Sequence, residues 1–158
     1  HPPDPAQPAH ARLDAAGGSV GDSPVPGPFW NRMDDVQTPL AFVRGMGLTD
    51  EGANLDVGHD YAEAARAVGD EETALAIDKV HEDEIRHVAF AWRWLQRFKP
   101  DDKSSWETFE ETLHFPLSPE RARGANLQRE SREKAGLDED FIKRLEAAVA
   151  KRPNGKTR

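Results

Sequence analysis

The sequence contains no cysteine, which excludes disulfides, thiolate metal sites and cysteine nucleophiles. It has no apolar run near the roughly 18 residues of a membrane span and no secretory signal pattern, so we expect no membrane association and a cytoplasmic location. Basic residues are also few, 21 against 29 acidic ones, for a net charge of −8. That balance argues against a nucleic-acid-binding surface. Oxygen and imidazole ligands would hold any metal here, which favours iron or manganese over structural zinc.

The 158 residues, 32% charged and 37% apolar, suit one polar domain with its core concentrated in few segments. No segment has the alternation typical of a strand, so the predicted class is all-α. We divide the chain into a Pro/Gly-rich arm or remnant of an earlier helix (residues 1–28), a helical core (residues 29–99), and a C-terminal helical extension with a tail (residues 100–158).

The strongest helical pattern covers residues 70–98. Asp70 is a good N-cap, and Pro100 marks the far end. Side chains at three- and four-residue steps form one stripe, which we expect to be buried: Ala74, Ile77, Val80, Glu84, His87, Val88, Ala91 and Leu95. A carboxylate is costly to bury unless it is paired, protonated or bound to a cation. The alternative is an ordinary solvated Glu and His, because Glu-x-x-His arises often by chance.

The flanking segments are also predicted to be helical. Pro39 should break a helix near Thr38 and start another that runs to about residue 54, closed by turn-forming residues 49–56. A short helix is expected at residues 60–68, a capping box at Ser104 predicts a helix to about residue 113, and a final helix is expected at residues 138–151. A brief helical turn is expected at residues 8–16.

Several separated motifs together resemble a bacterial branch of the ferritin-like superfamily. They are Gly-Asp-x-Pro-Val (residues 21–25), Asp-Glu-Gly-Ala-Asn-Leu-Asp (50–56), Ala-x-Gly-Asp-Glu-Glu-x-Ala (67–74) and Asp-Glu-Ile-Arg-His-Val-Ala-Phe-Ala-Trp-Arg-Trp (83–94). The resemblance implies a four-helix bundle in which two helices each give Glu-x-x-His and two each give a Glu, together holding two metals.

The resemblance also implies ligand positions. Glu84 and His87 match the last Glu-x-x-His, and Glu51 matches the lone Glu of the preceding helix. His10 lies where the earlier Glu-x-x-His should end, but its partner position is Gln7 rather than Glu. We also expect the nearby prolines to disrupt the helix that should carry His10. His59 and His81 are further candidates, for which a solvated His is the expected state.

The first bundle helix has no counterpart, and the chain begins at His1 without Met, so we expect a piece of a longer protein. The predicted fold is a partial ferritin-like bundle, completed by homo-oligomerisation, by another chain or by missing N-terminal residues. The predicted function is that of a di-iron protein, with manganese as the other metal, acting as an oxidase or hydroxylase. The alternative is a metal-free, degenerate helical module that dimerises or binds a partner.

Overall fold

A computed structural model describes residues 7–24, 36–111, 113 and 117–148, and these residues form helices and connections without a strand. The all-α prediction is therefore confirmed for this part of the chain. The helices are α1 (Gln7–Ala15), α2 (Pro39–Phe42), a π-helical segment (Val43–Asp50), α3 (Glu51–Ala67), α4 (Glu71–Phe98), α5 (Ser105–Glu110), a 3-10 turn (Pro119–Ala122), α6 (Arg129–Lys134) and α7 (Glu139–Ala147). Within these residues no helix is both long and apolar enough to cross a membrane.

Helices α3 and α4 form a hairpin, and the rest of the described chain packs around it. Gly69 permits the tight connection because its φ of 81° is costly for other residues. The Asp70 side chain then accepts a hydrogen bond from the Thr73 amide, so it caps α4 as predicted. With 28 residues, α4 spans about 42 Å.

The chain is continuously helical from Pro39 to Ala67, so the predicted closing turn at residues 49–56 is wrong. The Thr49 hydroxyl donates to the Arg44 carbonyl at 2.7 Å, and therefore serves the helix rather than a turn. The Glu51 amide donates to the carbonyl of Met46, five residues back, which is the π-helical pattern. The predicted break before Pro39 is confirmed, with Thr38 as the N-cap of α2. The short helix expected upstream of Thr38 lies largely at residues 25–35, outside the described residues.

One side of the hairpin, the back face, is covered by the C-terminal extension. The core joins both parts of the chain: Val43, Leu48, Leu55, Val88, Ala91, Trp92, Leu95, Trp106, Phe109, Ala122, Ala135, Leu137, Phe141, Ile142 and Leu145. Trp92, Trp106 and Phe109 surround Phe141 with ring centroids 5.0–5.3 Å away. Edge-to-face contacts at such distances add to the free energy gained by burying the rings.

The shorter helices show where local signals succeed and fail. The capping box at Ser104 is present, but α5 ends at Glu110. Helix α7 begins after Asp138 as expected and ends at Ala147, whereas α6 was not predicted. Helix α1 forms despite Pro8, because proline is tolerated in the first turn of a helix.

Candidate metal centre

The side of the α3–α4 hairpin opposite the core is its open face. It is defined by eight residues at helical spacing: Glu51, Asn54, Gly58 and Tyr61 of α3, and Ile77, Val80, Glu84 and His87 of α4. Apolar side chains remain exposed here, Tyr61 by 64% and Val80 by 38%. The predicted stripe on α4 is therefore buried only in part: Ala74, Val88, Ala91 and Leu95 face the core, whereas Val80 and His87 are exposed.

Glu51, Glu84 and His87 meet on the open face. Each offers one ligand atom, and these three atoms lie within 4.8 Å of one another. His87 Nδ1 is 3.3 Å from Glu84 Oε2 and 3.7 Å from Glu51 Oε1. Glu84 and His87 come together because residues three apart on a helix project to the same side. Glu51 reaches them from the start of α3 across the hairpin.

Glu51 has an unfavourable environment for a negative charge. Burial raises the pKa of Glu51; His87 opposes this effect, while the neighbouring Glu84 and Asp50 carboxylates add to it. No lysine or arginine in the described part of the chain forms an ion pair with Glu51 or Glu84. A bound cation or proton would relieve this electrostatic cost.

Asn54 fixes the second oxygen of Glu84. Its side-chain amide donates to Glu84 Oε1 at 3.3 Å, so Glu84 is held from both sides and its side chain is only 16% exposed. The His87 side chain is 57% exposed, and the expectation of a buried imidazole is wrong because none of the described core elements covers this side of α4. Sequence reasoning missed Asn54, although its position three residues after Glu51 was a usable signal.

Gly47 lets the π-helical segment approach α4 closely beside this group. A methyl group added at Gly47 would lie 2.3 Å from the Ala91 side chain, far inside contact distance. A cavity of about 190 Å³ adjoins the contact and is lined by Phe42, Val43, Gly47, Glu51, His87, Phe90 and Ala91. The π-helical segment thus ends where Glu51 enters the group, and interruptions of this kind occur often at functional sites.

The remaining predicted ligands lie elsewhere. His10 is exposed on α1, a helix that Arg12 anchors to Asp70 and Glu72 at the N-terminal end of α4, and it is not among the three grouped side chains. His59 is exposed. His81 is half-buried and bonded to the Ser131 hydroxyl at 3.0 Å, so the expected solvated state is wrong for His81.

In comparison with known families, residues 7–143 match the family described as Protein of unknown function (DUF455). The chain belongs to this family. No curated protein and no solved structure matches the chain. The match includes Glu51, Glu84 and His87 as well as the back face, so the DUF455 domain is the unit to which the candidate centre belongs.

The donor set of this DUF455 domain fits a divalent metal ion. Nitrogen and oxygen ligands about 2.1 Å from one ion lie about 3 to 4 Å from each other. The distances of 3.3 and 3.7 Å from His87 Nδ1 to the two carboxylates agree with that spacing. Two carboxylates and one imidazole suit iron or manganese.

Proposed function

We propose that Glu51, Glu84 and His87 are half of a di-metal site in a ferritin-like oxidoreductase, with iron as the first candidate and manganese as the second. The observation that carries the proposal is the convergence of two carboxylates and an imidazole, without a pairing lysine or arginine among the described residues, on one open face. Such a site uses a Glu from each of two helices and Glu-x-x-His from each of the other two. His10 stays a predicted fourth ligand.

Each residue has a distinct task in this proposal. Glu84 is presented rigidly because Asn54 holds one oxygen while the other faces His87. Glu51 is easily neutralised because its surroundings already disfavour its charge. His87 is the most exposed of the three, and it therefore lies at the solvent side. The bound metals would supply redox chemistry with dioxygen, while the protein controls geometry and water access.

The proposal requires a second set of ligands that faces the first. We expect it from another copy of this chain or from a different chain, although residues preceding His1 in a longer protein would serve equally. The exposed side chains of Tyr61 and Val80, 64% and 38%, support a partner that covers the open face. The absence of cysteine fits a cytoplasmic protein.

Metal analysis of matched variants tests the proposal. The purified protein is incubated with Fe²⁺ or Mn²⁺ under argon, desalted and analysed for bound metal. Wild type should retain metal, and Glu84→Gln should lose most of it because one ligand becomes neutral. Glu82→Gln is the control, since Glu82 is an exposed residue of the same helix that pairs with Lys79. Near-zero metal in wild type, or equal retention in Glu84→Gln, would contradict the proposal.

The second candidate function is a metal-free module that uses the open face for dimerisation or partner binding. The exposed Tyr61 of the open face favours it, together with the exposed Phe42 and Phe90 at the cavity beside Glu51 and His87, because a monomer rarely exposes large apolar patches. Light scattering separates the two candidates. Association that persists in chelator and in Glu84→Gln supports the module, whereas association that appears only with metal supports the di-metal site.

A further inference from the structure

A second cavity lies next to Glu84 on the side away from His87. Its volume is about 210 Å³, and it is lined by Asn54, Val57, Gly58, Tyr61, Ile77, Val80, His81 and Glu84. Pockets for drug-sized ligands occupy roughly 300–1,000 Å³, so this one suits only a small molecule. Its lining is mostly apolar and includes four side chains with polar groups, those of Asn54, Tyr61, His81 and Glu84, which is the pattern of a ligand site.

His81 lines this cavity and has one ring nitrogen without a hydrogen-bond partner among the described residues. Its Nε2 atom lies 3.0 Å from the Ser131 hydroxyl, which fixes the ring from the core side. The other ring nitrogen, Nδ1, is buried and has no hydrogen-bond partner among the described residues. Buried polar atoms nearly always have a partner, so an isolated one in a cavity points to a ligand or water.

Gly58 lies beside that nitrogen and adds no side chain there. A methyl group at residue 58 would lie 3.7 Å from His81 Nδ1, which is ordinary contact without a clash. Glycine in the middle of α3 costs about 1 kcal/mol relative to alanine. Helix α3 therefore carries a glycine beside His81 Nδ1 at a cost in stability.

The chemistry of the lining narrows the ligand class. Burial lowers the pKa of His81, and His59 adds to the effect, which favours the neutral imidazole. A hydroxyl group both donates and accepts hydrogen bonds, and it can pair with either tautomer of His81. An anion would be repelled by Glu84, and a charged group would lose hydration against Val57, Ile77 and Val80.

We propose that this cavity binds a small, largely apolar molecule with one hydroxyl group, which hydrogen-bonds to His81 Nδ1 and lies beside Glu84. Only one part of this inference rests on the proposed function, namely that the bound molecule is the substrate of the adjoining metal centre. Glu84 contributes to binding only by lining the cavity, and binding requires no metal.

Phenol is the probe, and toluene is the matched molecule without a hydroxyl group. Both are titrated into chelator-treated protein while NMR follows the His81 ring nitrogens and the backbone amides. Phenol should bind saturably with a Kd of about 1 mM, in the range that so small a ligand allows. It should shift the His81 Nδ1 resonance, and toluene should bind about tenfold more weakly.

Variants locate the binding. Gly58→Ala should fold, because alanine favours the helix and meets no clash, yet weaken phenol binding about tenfold by covering His81 Nδ1. Gly52→Ala is the control on the same helix, where the added methyl group would contact the Ala122 carbonyl at 3.4 Å on the back face. His81→Phe keeps a ring and should make phenol and toluene bind equally.

Three results would overturn the proposal: no saturable phenol binding, equal affinity of wild type for phenol and toluene, or equal effects of Gly58→Ala and Gly52→Ala. The outcome is separable from the metal question, because the titration is done without metal. Metal retention with no phenol binding removes only this inference. Phenol binding in a protein that retains no metal removes only the di-metal site.

Discussion

The two faces of the α3–α4 hairpin place a carboxylate in opposite environments. On the back face Asp56 is fully buried, and Arg132 contacts both of its oxygens at 2.6 and 2.9 Å. The amides of Gly124 and Gln128 add bonds of 2.7 and 2.6 Å. On the open face Glu51 lies five residues earlier on α3, with His87 and another carboxylate for neighbours.

The comparison shows that the hydrogen-bond and ion-pair partners of a carboxylate, rather than its burial alone, decide whether it can bind a ligand. Asp56 is paired completely by the chain itself, so it ties the C-terminal extension to α3 and has no capacity left for a ligand. Glu51 and Glu84 lack a pairing lysine or arginine among the described residues. They therefore retain the capacity to bind a cation.

Asp56→Ala should have the largest effect, because it leaves the buried Arg132 charge without its carboxylate partner. Breaking a buried pair costs about 3–5 kcal/mol in the free energy of unfolding, measured by urea denaturation. Asp60→Ala is the control on the same helix, since Asp60 accepts only one exposed bond, from Asn126. Equal losses for the two variants would show that the back face does not depend on the pair.

Gly47→Ala should push the π-helical segment away from α4, since its methyl group would lie 2.3 Å from that of Ala91. Overpacking of this kind costs about 1–3 kcal/mol. Ala91→Gly removes the opposing methyl group, so the double variant should recover most of the loss. A double-mutant cycle measures the coupling, and additive effects of the two substitutions would contradict the close contact.

Glu51→Gln should have opposite effects on stability and on metal binding. Because burial raises the pKa of Glu51, its neutral form favours folding, and that stabilisation is lost as pH rises through the raised pKa. At pH 7 the ionised carboxylate therefore disfavours the metal-free fold, and an amide should raise the melting temperature while lowering metal retention.

Glu63→Gln is the control for Glu51→Gln, because Glu63 is an exposed residue of the same helix that pairs with Arg66. Its effect should stay within about 0.5 kcal/mol, as for most surface substitutions. A lower melting temperature for metal-free Glu51→Gln would show that Glu51 stabilises the fold instead of serving a ligand.

Arg12→Ala should have the smallest effect on global stability. Arg12 joins α1 to Asp70 and Glu72 through partly exposed pairs at 3.1 and 2.8 Å, and such pairs contribute about 0–1 kcal/mol. Hydrogen exchange should accelerate in α1 while the amides around Asp56 stay protected. Accelerated exchange across the back face would mean that α1 supports the whole domain.

Much of the local structure was predictable from the sequence. Asp70 and Ser104 are N-caps whose side chains accept the expected backbone hydrogen bonds. The π-helical segment and the helical path through residues 49–56 were not predictable, because turn-forming residues there bond within the helix or to distant parts of the chain. Thr49 bonds back to Arg44, and Asp56 binds Arg132, 76 residues further along the chain.

The candidate centre was predictable to a similar degree. The spacing alone places Glu84 and His87 on one helix face. Glu51 was predicted from a family resemblance, and its contact with the other two residues became visible only in the hairpin. Asn54 and the inward ring of His81 were missed, because their roles depend on Glu84 and Ser131 across helix boundaries.

The sequence by itself determined that this DUF455 domain is helical, where α4 begins, and that Glu84 and His87 point to the same side. Only the tertiary structure decided which side of α4 meets the core. A helical period defines a face, but the elements that pack against it are distant in sequence. The C-terminal extension covers Asp56 and the back face, and this leaves Glu51, Glu84 and His87 together on the other.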